Sequence, residues 1–354
     1  MRIVNNFILI NLAKIFFPIF FVIFFISSVI LFIRVASVTA VIKMSFLEFF
    51  ELYFYTLPVM LFFALPITFF VAAVITLSRL SQEYELPVLF SLGLSSHYLL
   101  RFFFPLSLIL SATLFIFSFI LIPASNQFYQ QFLNEKRKNI DINLKPSEFS
   151  QKLGSWLVYI NSFENNRYGE VVLFSKQSLQ GEVFIVADSA ELINNHSIFE
   201  ISVSNGSAYL GKEKMIERID YEKLITRLNI STNYQHNSIW DYWASMNNAY
   251  IERDTLENDR KAREGAKVLR NFATYILVSL FPILSIPLIP LFGVMHPRFM
   301  HPYTYFFIIF SVAFFYGCVH IVSTYFPIHG ILPTIFLWSI GSYLLFRQFI
   351  ARFF

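Results

Sequence analysis

The chain has 354 residues, of which 56% are hydrophobic, 19% aromatic and only 14% charged. Soluble domains carry about 25% charged residues, so this composition excludes a soluble globular chain, a disordered chain and a single-domain cytosolic enzyme. The charged residues are also unevenly placed, because 37 of the 50 Asp, Glu, Lys and Arg residues lie between Glu135 and Arg270. This distribution predicts a polytopic membrane protein with one water-soluble insert.

The basic character of the chain comes from the regions outside the insert. The insert holds 18 basic and 19 acidic residues, whereas the flanks hold 9 basic and 4 acidic residues. The pI near 9.0 therefore gives no reason to expect a nucleic acid as a partner. The only cysteine, Cys318, lies in an apolar run, so no disulfide framework or cysteine-based metal site is predicted.

Uncharged segments long enough to cross a bilayer lie on both sides of the insert. A span needs about 20 largely apolar residues. Segments that meet this requirement lie at 15–33, 52–78, 102–122, 271–297 and, as two spans joined by a tight turn near 327–333, at 299–346. The first segment is longer than the apolar core of a signal peptide, which has about 7–15 residues, so we predict a retained anchor. The sequence thus predicts three spans, the insert and three further spans.

The orientation follows from the Lys and Arg residues of the short loops. With the N-terminus inside, two basic residues, Arg34 and Lys43, lie in the outer loops. The cytoplasmic side then holds Arg2, Lys14, Arg79, Arg101, Arg298, Arg347 and Arg352. We therefore predict cytoplasmic N- and C-termini and an insert on the opposite, periplasmic side.

The insert carries the pattern of an all-β domain. Short alternating runs at 156–160, 171–174, 183–186 and 198–203 are separated by turn signals at roughly ten-residue spacing. This spacing favours a sandwich or jelly roll, and Asn205-Gly206 is the strongest hairpin signal. A charged segment at 249–270 with helical spacing is predicted to lead into the fourth span. The predicted domains are 1–134, a periplasmic β-domain at 135–248, and 249–354.

Motifs for catalysis are absent from the sequence. It contains no HExxH, GxSxG or Walker signature. Gly206–Lys212 has the spacing of a phosphate-binding loop, but Glu213 stands where such a loop needs Ser or Thr to hold magnesium. We therefore expect no enzymatic activity and no metal-binding or cofactor-binding residue in this chain.

The second cytoplasmic segment, near 82–96, combines an apolar stripe with two carboxylates. Leu86, Leu89, Phe90 and Leu94 are spaced to form one face of a short helix. Glu83 and Glu85 are the only acidic residues of any short cytoplasmic loop. Two interpretations remain open at this point: a solvated loop that joins two spans, or a docking element whose carboxylates contact a basic partner.

Several motifs of the chain, taken together, resemble one family. They are Leu65-Pro66, Leu80–Glu85, Gly93–Ser95, Pro290–Arg298 and Gly330–Trp338. In this order and within the three-plus-three layout, they resemble the LptF/LptG lipopolysaccharide export permeases. The similar segments of that family are the second span, the coupling helix, the segment after the fourth span and the start of the sixth span. The segment near Gly330 is more similar to LptF than to LptG.

The resemblance implies an ABC transporter permease subunit. Such a subunit extracts lipopolysaccharide from the bacterial inner membrane and passes it to a periplasmic bridge towards the outer membrane. The implied partners are an LptB-type ATPase dimer that binds the ATP, an LptG-type permease and an LptC-type bridge protein. The alternatives are a permease for another amphiphile, such as a lipoprotein or drug, and a membrane-anchored sensor or structural protein.

The resemblance also implies roles for individual residues. Glu85, with Glu83 beside it, corresponds to the coupling-helix carboxylate that contacts the ATPase. Arg34 corresponds to a basic residue at the outer end of the first span, and Lys43 lies near it as a second candidate for the lipid headgroup. Two other basic positions of the family are Leu31 and His301 here. The candidates for an acyl-chain lining of the β-domain are aromatic residues that a β core would also contain: Tyr159, Phe174, Phe184 and Phe199.

Overall fold

The structure is a computed structural model, and it describes most of the chain. The described residues are 2–39, 44–138, 146–147, 151–153, 156–164, 167–178, 181–195, 198–212, 215–228, 238–252, 255–294 and 303–351. Lys43 and His301 therefore lie outside the described residues. These residues form two compact units, one of Met1–Ile30, Tyr55–Gln127 and His236–Phe354, the other of Leu31–Phe54 and Phe128–Gln235.

Long apolar helices occupy the regions on both sides of the insert. Before it lie α1 (Arg2–Thr39), α2 (Phe46–Gln82), α3 (Glu85–Ser91), α4 (Ser96–Ile116), a π-helical turn (Phe117–Leu121) and α5 (Ile122–Lys138). After it lie α6 (Ile239–Ala244), a 3₁₀ turn (Ser245–Tyr250), α7 (Leu256–Leu284), α8 (Leu288–Gly293), α9 (Tyr303–Tyr325) and α10 (Ile331–Phe349). The predicted helix ahead of the fourth span is confirmed as the first part of α7.

Five of the predicted spans are confirmed within the described part of the chain. The helical segments that are long and apolar enough to cross a membrane are Ile3–Ser37, Phe46–Gln82, Ser96–Leu133, Asn258–Leu284 and Tyr303–Tyr325. The sixth predicted span coincides with α10, which has 19 residues and ends on a polar turn that contains Arg347. This helix stands near the lower length limit for a span, so its crossing stays a prediction.

The first unit is held together by a continuous core between its helices. Phe281 of α7 lies at its centre, with its ring 5.5 Å from that of Phe70 on α2 and 4.6 Å from that of Phe315 on α9. Close approach of backbones adds to this packing at Gly293. A Cβ atom at Gly293 would lie 2.6 Å from Leu77 Cβ, and Ser81 Oγ donates a hydrogen bond to the Gly293 carbonyl at 3.1 Å. Small residues permit such close helix contacts inside membranes.

The segment that enters the first unit after the sheet is fixed by Trp243. The indole Nε1–H of Trp243 donates to the carbonyl oxygen of Phe119 at 3.1 Å, within the π-helical turn. Its ring also lies 5.9 Å from that of Phe272 on α7. A Cβ atom at Gly265 would lie 2.3 Å from the Ala249 backbone nitrogen, so α7 and the 3₁₀ turn are in backbone contact. A π turn inserts one residue into a helix, and here it supplies an acceptor for the incoming segment.

The insert forms one antiparallel sheet whose strands follow their sequence order. The strands are β1 (Gln151–Leu153), β2 (Trp156–Glu164), β3 (Arg167–Ser178), β4 (Gly181–Asn195), β5 (Ile198–Lys212) and β6 (Met215–Leu228). The predicted all-β insert is therefore confirmed. The strand order differs from the predicted sandwich or jelly roll, because each described strand pairs only with its sequence neighbours, as in a meander. No Greek-key crossover occurs among the described strands.

One face of this sheet is buried. Its core contains Trp156, Val158, Ile160, Val171, Leu173, Val183, Ile185, Ala187, Ala190, Ile201, Val203 and Ala208. The hairpin predicted at Asn205-Gly206 is wrong, because both residues lie within β5. Asn205 has a φ of 52°, and a Cβ atom at Gly206 would lie 2.0 Å from the Val186 carbonyl oxygen and 2.7 Å from the Tyr221 hydroxyl. The glycine is therefore required by a close contact within the sheet and not by a turn.

Candidate functional site

The two carboxylates predicted to dock a partner lie on either side of a sharp turn. The helix α2 ends at Gln82, and α3 begins at Glu85. Tyr84 between them has a left-handed backbone with a φ of 64°. This single left-handed residue ends α2 and starts a new helix direction. It also separates Glu83, which follows α2, from Glu85, which opens α3.

Glu83 and Glu85 differ in their partners. The Oε1 atom of Glu83 accepts a hydrogen bond from Arg79 Nε at 2.8 Å, in an exposed i,i+4 ion pair. The half-buried Glu85 forms no ion pair with a described residue, although its charge, like that of Glu83, attracts the Arg79 guanidinium. Glu85 is therefore the carboxylate whose charge remains available to a cation on another molecule.

Three of the four residues of the apolar stripe predicted for this segment face the core, and the fourth, Leu94, is half-buried without joining it. Leu86 is fully buried in the helical core, and Leu89 and Phe90 pack against that core. Val88 and Leu92 are instead exposed. The stripe therefore fixes α3 on its own unit, which leaves the carboxylates and the opposite side of α3 available for another molecule.

A groove of about 440 Å³ lies between α3 and the first turns of α1. Its apolar lining comes from Ile3, Val4 and Phe7 of α1 and from Val88 and Leu89 of α3. Glu83, Tyr84 and Glu85 form its polar rim. A groove with an apolar floor and carboxylates at its rim suits a protein surface with an apolar side chain beside a basic one. We name it the acidic groove.

Arg34 lies near the end of α1 in the second unit and is exposed. Its neighbours anchor this turn, since Val35 is buried with Leu52 and Leu133, while the Phe32 ring stacks on Tyr53 at 4.7 Å. The Arg34 carbonyl oxygen accepts a hydrogen bond from Ser37 Oγ at 2.6 Å. No acidic side chain pairs with the Arg34 guanidinium within the described ranges. The backbone is thus fixed while the cation remains open to an anionic group.

An ion pair that the sequence analysis missed lies in the same unit. The Oε1 atom of Glu48 contacts Lys136 Nζ at 2.5 Å, and its Oε2 atom accepts from the Ser45 backbone N–H at 2.9 Å. The Glu48 N–H in turn donates to Ser45 Oγ at 3.4 Å, which completes a capping box at the start of α2. The sequence signal was the spacing Ser45-x-x-Glu48. Lys136 is therefore neutralised within the fold, unlike Arg34.

Two of the four aromatic residues predicted to contact acyl chains, Phe174 and Phe184, lie in one row across the sheet. Phe174 lies opposite Phe184 in the strand register, and Phe184 lies opposite Tyr209, with the last two ring centroids 6.1 Å apart. Leu157 on β2 extends this row on the other side. Phe184 is 40% exposed and Leu157 is 38% exposed, so this row does not belong to the buried core.

A second row runs parallel to the first. Tyr159 lies opposite Val172, which lies opposite Val186, and Val186 is 39% exposed. Together the two rows make a partly exposed apolar surface, and the longer row crosses four strands, or about 14 Å at the usual strand spacing. We name it the apolar sheet surface. Phe199, the fourth predicted residue, lies in β5 opposite Asn194 and Leu228, and its side chain lies outside the described residues.

Charged residues end this apolar surface at β6. In the strand register, Tyr209 lies opposite Arg218, and Ser207 lies opposite Asp220. Arg218 Nε donates to Asp220 Oδ1 at 2.8 Å. The hydrogen bond from Ser207 Oγ and the one from Arg218 lower the pKa of Asp220 below its usual value. The ionised pair therefore marks a polar boundary on β6.

The chain was compared with known protein families and with curated proteins. A sequence model of the family described as lipopolysaccharide export system permease LptF/LptG matches residues 6–347. The match covers both helical regions and the sheet between them, and it does not separate LptF from LptG. No curated protein matches the chain.

Proposed function

Because this chain belongs to the lipopolysaccharide export system permease LptF/LptG family, we propose that it is the permease subunit of an ABC transporter that lifts lipopolysaccharide out of the inner membrane. The observation that carries this proposal is the family match over residues 6–347, which includes both helical halves and the sheet. In this proposal a separate LptB-type ATPase dimer hydrolyses ATP. This chain supplies the docking site, the membrane path and the first part of the periplasmic path.

The docking step is assigned to the acidic groove. The Glu85 carboxylate forms no ion pair with a described residue, whereas the Glu83 carboxylate is paired with Arg79. A charge-assisted hydrogen bond from a cationic side chain of the ATPase to Glu85 would be stronger than one between neutral groups. Movement of the ATPase dimer would then reach α2 through the turn at Tyr84.

The headgroup step is assigned to Arg34. The phosphates of lipopolysaccharide are anionic, and a guanidinium can bind a phosphate through two parallel hydrogen bonds. Arg34 is exposed near one end of a helix that is long enough to span a membrane. By the distribution of Lys and Arg, this is the periplasmic end, where the headgroups of the outer leaflet lie. Lys43 is proposed as a weaker second contact.

The exit step is assigned to the apolar sheet surface. Acyl chains that leave a bilayer need an apolar surface that keeps them out of water. Leu157, Phe174, Phe184 and Val186 supply such a surface across neighbouring strands. We propose that it receives the chains and that an LptC-type bridge protein continues the path, while an LptG-type permease forms the other half of the membrane path.

One experiment tests the whole proposal. The full-length chain is purified from its native membrane with its associated subunits, and the bound lipid and proteins are identified by mass spectrometry. We expect an ATPase, a second permease and lipopolysaccharide. After reconstitution into vesicles, ATP should drive transfer of lipopolysaccharide to a periplasmic acceptor. Recovery of a lipoprotein or drug in place of lipopolysaccharide would contradict the proposal.

A further inference from the structure

A second groove, of about 630 Å³, lies between the first turns of α1 and the first turns of α4. Both helices are long and apolar enough to cross a membrane, and both contribute their N-terminal turns here. The groove therefore lies where two spans begin, at the depth of lipid headgroups. Its volume is within the range of about 300–1,000 Å³ that small-molecule sites occupy.

The polar side chains of this groove are hydrogen-bond donors without a carboxylate among them. Arg101 of α4 is exposed and has no acidic partner within the described part of the chain. Asn5 and Asn6 of α1 line the opposite wall. The Asn5 side-chain oxygen accepts a hydrogen bond from the Tyr98 hydroxyl, so its amide N–H groups remain as donors. A guanidinium with neighbouring amide donors suits an anionic phosphate.

Three of the five apolar residues of the groove follow the polar ones along the two helices, whereas Ile3 precedes Asn5 and Phe102 adjoins Arg101. On α1, Leu9 comes one turn after Asn5 and Asn6, and on α4, Pro105 and Leu106 come one turn after Arg101. Each helix therefore presents donors near its end and apolar side chains further into the span. A glycerophospholipid has the same order, with its phosphate outside and its acyl chains inside.

We propose that this groove holds an anionic glycerophospholipid of the surrounding bilayer, with its phosphate on Arg101 and Asn5 and its acyl chains against Leu9 and Leu106. The occupant is distinct from the transported lipid. By the distribution of Lys and Arg it belongs to the cytoplasmic leaflet. The acidic groove lies on the other side of the same α1 turns and carries carboxylates. Like-charge repulsion excludes an anionic lipid from the acidic groove, so the anionic lipid binds only in the groove beside Arg101.

Native mass spectrometry of the full-length protein in detergent tests the proposal. The protein is titrated with phosphatidylglycerol, which is anionic, and with phosphatidylcholine of the same acyl chains, which is zwitterionic. Both lipids offer a phosphate to Arg101, but only phosphatidylcholine adds a choline ammonium, which the guanidinium repels. We therefore expect the wild type to bind phosphatidylglycerol about tenfold more tightly. Arg101→Gln should remove this preference. Arg347→Gln is the matched control, because Arg347 is also exposed and is predicted on the same membrane side.

A second variant tests the apolar half of the groove. Leu9 is 41% exposed, so Leu9→Trp can fill the groove without disturbing the core, and it should weaken binding of both lipids. Equal losses in Arg101→Gln and Arg347→Gln would overturn the proposal, since Arg101 would then act only as a general surface charge. Displacement of phosphatidylglycerol by inorganic phosphate would also overturn it, because the site would then bind a free anion and not a lipid.

Discussion

The helical unit and the sheet unit use exposed apolar residues in opposite ways. On α1, Phe21 is 62% exposed and Phe25 is 69% exposed, as expected for helices that face lipid. Such exposure carries little information there, and the few charged side chains, Glu85 and Arg101 among them, mark the candidate sites. The sheet carries exposed charged pairs such as Arg218 and Asp220, as a surface in contact with water does, so its exposed Phe184 needs an explanation. An exposed side chain therefore indicates a candidate site only where its polarity differs from that of its surroundings, whether lipid or water.

The largest effect is expected for the Glu85→Lys substitution. It inverts the carboxylate of the acidic groove that forms no ion pair with a described residue, so it should abolish binding of the ATPase and with it lipopolysaccharide export. Co-purification of the ATPase and growth of cells that depend on the variant measure this. Glu85→Gln is the control, because it removes the charge without inverting it and should lose less. Normal co-purification and normal growth of Glu85→Lys would refute the docking role.

The second prediction compares the two faces of the sheet. Leu173 is fully buried, so Leu173→Ala should lower the free energy of unfolding of the sheet by about 2–5 kcal/mol. Phe184→Ala should cost about 1 kcal/mol, mainly the contact with Tyr209. Hydrogen–deuterium exchange of the strand amides in the full-length protein measures both changes.

A second pair of variants, Phe184→Glu and Ile225→Glu, tests lipid contact separately from folding. Photo-crosslinking to lipopolysaccharide should fall in Phe184→Glu and stay unchanged in Ile225→Glu, whose side chain on β6 is 52% exposed outside the apolar sheet surface. If Phe184→Ala destabilised the sheet as strongly as Leu173→Ala, the apolar sheet surface would be a second core and not a lipid path.

The spans and strands could be predicted from the sequence because each has a local sequence pattern. A span needs an uncharged segment of sufficient length, and a strand shows short alternating runs. The five confirmed spans and strands β2 to β5 depend on such patterns. The predicted hairpin at Asn205-Gly206 was wrong because the glycine serves a different contact. The Tyr221 hydroxyl, 16 positions after Asn205, lies where a side chain at Gly206 would be. Local turn preference could not include that long-range contact.

Candidate site residues were predictable only in part, for the same reason. Glu83 and Glu85 look equivalent in the sequence, and only the turn at Tyr84 assigns Arg79 to Glu83. The contact of Trp243 with the Phe119 carbonyl depends on a π turn that no sequence pattern marked. Long-range pairing, more than the type of residue, decides which polar groups remain available.

The third prediction concerns the cation near the end of α1. Arg34→Glu should weaken capture of lipopolysaccharide about tenfold, because it replaces a charge-assisted hydrogen bond by repulsion of the phosphates. Lys43→Glu should weaken it less. Photo-crosslinking yields from probes placed at the two positions measure the difference. Equal yields and equal losses at both positions would show that Arg34 serves only as an interfacial anchor of the span.

The smallest effect is expected for Arg79→Gln, and it tests whether Glu83 and Glu85 are different in function. The Arg79–Glu83 pair is exposed, and such pairs contribute little to stability. We therefore expect no measurable change in the thermal unfolding midpoint. Arg167→Gln, which removes another exposed ion pair, with Glu191 at 2.5 Å, is the matched control.

Retention of the ATPase is the decisive measurement for Arg79→Gln. If Glu85 alone docks the ATPase, this variant should retain it at the wild-type level, since the groove keeps its unpaired carboxylate and gains a second one. A loss as large as that of Glu85→Lys would mean that the ion pair itself is the docking element. The charge of Glu85 would then be secondary, and the contrast between a paired and an unpaired carboxylate would have no functional meaning.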